Sequence, residues 1–86
     1  MNDPMRQIIS RIVLEKVRGI LCDSITVINE TDKLIDDLNI TSHDLRFKFI
    51  HDLQEILGVV GSQEDWRKVY TVGDAIELLT RLHNSK

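Results

Sequence analysis

The amino-acid sequence predicts an all-α fold: a small helical bundle of three main helices plus one short helix, with a long loop after helix 1. Three observations carry that expectation. Apolar residues recur at spacings of three and four over long stretches, the whole chain holds one proline and four glycines, and the periodic stretches open on residue types that cap helices. In 86 residues, 42% of them hydrophobic and 29% charged, one core fits and two do not, so residues 1–86 are expected to form a single domain. A multidomain enzyme is excluded, and a deep, preorganised active site is not expected.

The first helix is expected over about residues 4–21. Asp3 can cap free amide hydrogens, and Pro4 at the first helical position has no amide hydrogen to leave unpaired. Met5, Ile8, Ile9, Ile12, Val13, Val17, Ile20 and Leu21 form one face, with Arg6, Arg11, Glu15 and Arg18 on the other. Glu15 has Arg11 and Arg18 at helical neighbour spacings, which allows ion pairs of about 0.2 to 0.5 kcal/mol each.

Over residues 22–41 the periodicity stops. Polar Ser24, Thr26, Asn29, Thr31, Asp32, Asp36 and Asp37 are interleaved with Ile25, Val27, Ile28, Leu34, Ile35, Leu38 and Ile40. A connection of this length is uncommon in a compact domain unless it serves a purpose. Its apolar anchors place it across the helices, and a strand over Ser24 to Ile28, rich in β-branched residues, is the open alternative.

The second helix is expected over about 42–57, with Leu45, Phe49, Ile50, Leu53, Ile56 and Leu57 inward, Phe47 off that stripe, and Gly58 as a left-handed cap. Phe47 is a candidate contact residue, although single exposed apolar side chains are ordinary. A short helix over about 62–69 starts at Ser62 with Asp65 three residues on. The last helix, about 72–83, follows Thr71 with Asp74 in the same relation; its stripe is Val72, Ala75, Ile76, Leu79 and Leu82, with Leu78 beside it.

Eleven Lys and Arg stand against fourteen Asp and Glu, a net charge of -3, and the basic residues are scattered. Nucleic-acid binding therefore lacks its electrostatic driving term. The chain shows no apolar run long enough for a membrane span and no signal-peptide pattern, and lone Cys22 has no internal disulfide partner. A reduced, cytoplasmic protein is expected.

His43, His51 and His83 are not spaced to put two ligands on adjacent helical turns, and Cys22 has no CxxC partner, so no metal or nucleophilic site is expected. Asp36 and Asp37 read as solvated acids or turn caps rather than a catalytic pair. Trp66 reads as a packing residue, with lining of a cleft as the rarer role. The informative stretch is Thr41-Ser42-His43-Asp44. If Thr41 caps the helix in a box with Asp44, the Ser42 hydroxyl is left exposed beside the positive end of the helix, where an anion such as a phosphate ester is favoured. If Ser42 is itself the cap, that reading is lost.

The order of these elements resembles the acyl carrier protein family, the phosphopantetheine-binding carrier domains. The resemblance covers most of the chain and lies in Ile25-Thr26 with Thr31-Asp32-Lys33-Leu34-Ile35-Asp36-Asp37-Leu38, in Asn39-Ile40-Thr41-Ser42, and in Thr71-Val72-Gly73-Asp74-Ala75-Ile76-Glu77-Leu78-Leu79. It implies an acyl-carrier-like bundle that is not an enzyme: a phosphopantetheinyl transferase attaches 4'-phosphopantetheine from coenzyme A to Ser42. The thiol of that arm carries an acyl or aminoacyl group as a thioester to acyl-loading and acyl-using enzymes, as in fatty acid or polyketide biosynthesis. Thr41, His43 and Asp44 flank the attachment point, and Asp37, Arg46, Phe47 and Lys48 are the partner-facing residues it implies; a monomer is the family default.

This chain departs from the family in several places. Thr41 stands for the usual Asp before the serine, His43 for an apolar residue after it, and Asn39 for a Gly, a replacement that still tolerates a left-handed backbone. Counted back from the last helix, the segment after Ser42 is one residue longer than usual. If that extra residue lies within or after the second helix, Ser42 keeps its place; if it lies before the helix, His43 takes the serine's position and the Ser42 assignment fails. The second helix mixes Asp44, Asp52 and Glu55 with Arg46 and Lys48, where fatty-acid carriers are acidic, which suggests a dedicated partner in a specialised pathway. A carrier-like module that is never modified and only binds proteins is the alternative.

Overall fold

A computed structural model of the chain describes residues 4–21 and 28–85. Four helices follow one another: α1 (Pro4–Leu21), α2 (42–57), α3 (Gln63–Arg67) and α4 (Val72–Asn84). The all-α expectation holds, with no strand among the described residues. The short helix is trimmed at both ends, because Ser62 is its cap and Lys68 already leaves it. Asp3 as a cap, Cys22, and all but Ile28 of the alternative strand lie outside the described residues.

The core forms where the periodic faces meet. Ile9, Val13 and Val17 of α1 are fully buried with Ala75, Ile76 and Leu79 of α4, and α1 packs most extensively along α4. Phe49 and Leu53 bring α2 into the same core. Two residues assigned inward, Ile8 and Ile56, are more than half exposed, while Leu78 is buried. Each stripe is thus wider or narrower than its spacing suggested, because the partner surface decides which flank of a stripe is covered.

From residue 28 onward the loop lies on the bundle, anchored by Ile28, Leu34, Leu38 and Ile40, all buried. Its main chain is joined to the start of α4. Lys33 pairs with Thr71 in an isolated antiparallel bridge, and Leu34 N–H donates to Tyr70 O at 2.8 Å. Val72 N–H donates to Asp32 O at 3.0 Å and Gly73 N–H to Glu30 O at 2.8 Å, so the loop supplies acceptors to first-turn amides that have none within their own helix. A Cβ at Gly73 would sit 3.1 Å from that Glu30 oxygen, hence glycine there. Asn39 adopts the left-handed conformation at φ 58°, which Asn tolerates better than most residues. Arg6 pairs with Glu30 at 2.7 Å, tying α1 to the loop and holding the guanidinium pKa above its usual value. The pairs allowed between Glu15 and Arg11 or Arg18 do not form; among the described residues, the α1 cations with a carboxylate partner are Arg6 and Lys16.

Helix α2 runs unbroken through an α-helical turn (Ser42–Asp44), a π-helical stretch (Leu45–Ile50) and a second α-helical stretch (His51–Leu57). Gly58, at φ 66°, ends it as a left-handed cap. None of the helices described is long and apolar enough to cross a membrane.

Candidate functional site

Thr41 is the cap of α2. Its Oγ1 accepts from the Asp44 amide at 3.1 Å, and its backbone is extended while that of the following residues is helical. Ser42 is therefore the first helical residue; it is exposed, and its hydroxyl has no hydrogen-bond partner among the described residues. The capping box foreseen here is half formed. Asp44 does not return to the Thr41 amide and instead faces Lys48 at 3.7 Å.

The π-helical stretch begins three residues after Ser42. A turn closed by i→i+5 hydrogen bonds encloses one residue more than a turn closed by i→i+4 bonds, so it absorbs an extra residue without putting the flanking turns out of phase. Phe49, at 0% exposure, and Leu53 keep their places in the core, while Arg46, Phe47 and Lys48 face outward. Phe47 is 57% exposed, and its ring lies against His43, centroids 4.8 Å apart.

Between α2 and α3 an open cleft of about 850 Å³ starts at Ser42 and His43 and extends to Gly61, Trp66 and Arg67. Leu45, Phe47, Ile50 and Trp66 supply its apolar lining. One side chain sets its far end. Gln54 Oε1 accepts from the Gly61 amide at 2.7 Å and from Trp66 Nε1 at 3.1 Å, fixing α3 and the indole against α2. A Cβ at Gly61 would come within 2.8 Å of Trp66 Nε1, so the indole occupies the space that glycine leaves.

Of the residues expected at the site, Ser42, His43, Arg46 and Phe47 line this cleft. Thr41 and Asp44 build the helix start beside it. Lys48 is exposed and partnered by Asp44, and Asp37 accepts from the Lys33 amide at 2.9 Å within its own turn, apart from the cleft. Trp66 combines its two readings, half-buried against α2 and lining the cleft. Gln54 and Arg67 were not anticipated. Glycine at 61 before a helix that carries the only tryptophan was the available signal for Gln54, and it needs the pairing across the cleft to be read.

On the side of α2 facing α1, Asp52 pairs with Lys16, whose hydrogen bond holds the carboxyl below its ordinary value. His51, Asp52 and Glu55 bring one ligand atom each within 4.8 Å of one another, but the carboxylate of Asp52 already has Lys16 as partner. The site offers an unengaged hydroxyl at a helix start and an amphipathic cleft leading from it. No protein-family model and no curated protein matches the chain, so its function is read from its own residues.

Proposed function

We propose that the chain is a carrier protein, similar to acyl carrier proteins, that bears 4'-phosphopantetheine on Ser42. The observation that carries this reading is the division of labour at the start of α2: Thr41 caps, and the Ser42 hydroxyl is left exposed and unengaged. The group fits what is there. A phosphodiester on Ser42 would lie beside the positive end of a helix of 16 residues, where first-turn amides lack acceptors within the helix. The arm would supply a thiol that holds an acyl or aminoacyl group as a thioester, while this chain positions it and presents it to partner enzymes.

The π-helical stretch supports the choice of Ser42 over His43. It accommodates one additional residue inside α2, after Ser42, which is where an extra residue leaves the serine in register with the carrier pattern. The mixed charge of α2, with Arg46 and Lys48 exposed, supports a dedicated set of loading and using enzymes in a specialised cytoplasmic pathway. The exposed His43–Phe47 pair favours, as a second reading, an unmodified module that docks proteins at this face.

Intact mass after incubation with coenzyme A and a broad-specificity phosphopantetheinyl transferase tests the proposal. One phosphopantetheine is expected on the wild type and none on Ser42→Ala. A folded wild type left unmodified by several transferases overturns the carrier reading in favour of the docking module.

A further inference from the structure

The cleft that opens at Ser42 is charged in one sense only. Among the described residues its ionisable lining is His43, Arg46, His51 and Arg67, with no aspartate or glutamate. This is the reverse of the chain as a whole, which is net acidic. The acids of α2 lie off the cleft, where Asp44 faces Lys48 and Asp52 faces Lys16, and neither Arg46 nor Arg67 has a carboxylate within ion-pair distance among the described residues. His51 is flanked by Asp52 at 3.5 Å and Glu55 at 3.8 Å, so the positive character of the cleft rests on the two arginines.

Gln54 reinforces the sign. Its carbonyl oxygen already accepts from Gly61 and Trp66, so what its amide has left to offer a ligand is the Nε2 group, a donor. Between these donors the lining is Leu45, Phe47, Ile50 and Trp66. A ligand complementary to this surface is apolar along its length and anionic at one end. Guanidinium groups match a carboxylate in both charge and fork geometry.

We infer that the group seated in this cleft is an acyl chain ending in a carboxylate. The inference rests on the carrier reading for its delivery, since Ser42 stands at the cleft's edge. A phosphodiester on Ser42 is also anionic, and Arg46 lies four residues further along the same helix, whereas Arg67 is on α3 across the cleft. Two anionic sources must therefore be separated, and probes without phosphate do so.

Trp66 is the only tryptophan and lines the cleft, so its fluorescence reports occupancy. The unmodified protein is titrated with suberoyl-pantetheine, which ends in a carboxylate, and with octanoyl-pantetheine, its uncharged counterpart of equal chain length. Suberoyl-pantetheine is expected to bind about three- to tenfold more tightly, the range for two partly exposed ion pairs. That preference should vanish in Arg46→Gln with Arg67→Gln and persist in Arg11→Gln with Arg18→Gln, which removes the same charge from α1. Equal binding of the two probes, no binding of either, or a preference that survives loss of Arg46 and Arg67 overturns the inference. The intact-mass experiment is independent: a modified Ser42 without charge preference leaves the carrier and removes the cargo assignment. Charge preference without modification leaves the anion-binding cleft and removes the carrier.

Discussion

Two helix starts in this molecule share one local sequence pattern and end in different states. Thr71 and Asp74 at α4 close a full capping box: Thr71 Oγ1 accepts from the Asp74 amide, and Asp74 accepts from the amides of both Tyr70 and Thr71 at 3.2 Å. Thr41 and Asp44 at α2 make only the first of these bonds, and Asp44 turns to Lys48. The residue after Thr71 is Val72, 0% exposed, with its amide bonded to the loop; the residue after Thr41 is Ser42, exposed and unengaged. The loop across the start of α4 makes it a structural joint. Nothing comparable covers the start of α2 among the described residues, which leaves the Ser42 hydroxyl exposed.

Truncating the residue after each cap should break the symmetry most. Val72→Ala removes two buried methyl groups and should cost about 2 kcal/mol, whereas Ser42→Ala should change stability by less than about 0.5 kcal/mol while abolishing the proposed modification. Urea denaturation of the two variants checks this, and comparable destabilisation would show that the start of α2 is structural as well. A smaller difference is expected at the caps themselves. Thr71→Ala should cost about 1 to 2 kcal/mol and Thr41→Ala about 0.5 to 1 kcal/mol, because only the former dismantles a closed box. Thermal unfolding of both variants ranks them, and a larger loss at Thr41 would reverse the comparison.

The smallest effect concerns Asp52, the acid of α2 that has a close cationic partner where Asp44 has a distant one. Lys16 depresses its folded pKa below 3.8, so the pair stabilises the fold above that value, and the contribution is lost as pH falls through the lowered pKa. Lys16→Gln should return the Asp52 titration towards 3.8 and remove that acid-side loss. Carboxyl carbon shifts followed by NMR against pH measure it, and an unchanged titration would show that Lys16 is not the cause.

Much of the framework was legible in the sequence because it is local. Helical periodicity marked α1, α2 and α4, the Ser and Thr caps marked three helix starts, and Asn39 and Gly58 stood where the backbone turns left-handed. Ser42 was legible only conditionally, since Thr41 and Ser42 are both good caps and adjacent residues compete for the same amides. The orientation of Asp44, the exposure of Ile8 and Ile56, and the π-helical stretch were not legible, because each depends on which neighbour fills the adjacent space.

By itself, then, the sequence determined where the chain is helical, where it turns, and that Ser42 stands at or beside a helix start, since interactions within a few residues decide these. The tertiary structure decided that Thr41 rather than Ser42 does the capping and that Asp44 leaves its box open. It also decided that Gln54, Gly61 and Trp66 set the far end of a cleft lined by arginines and, among the described residues, by no acids. The cleft joins residues of two helices brought together by the burial of Phe49, Leu53, Ile76 and Leu79, so no local pattern could contain it.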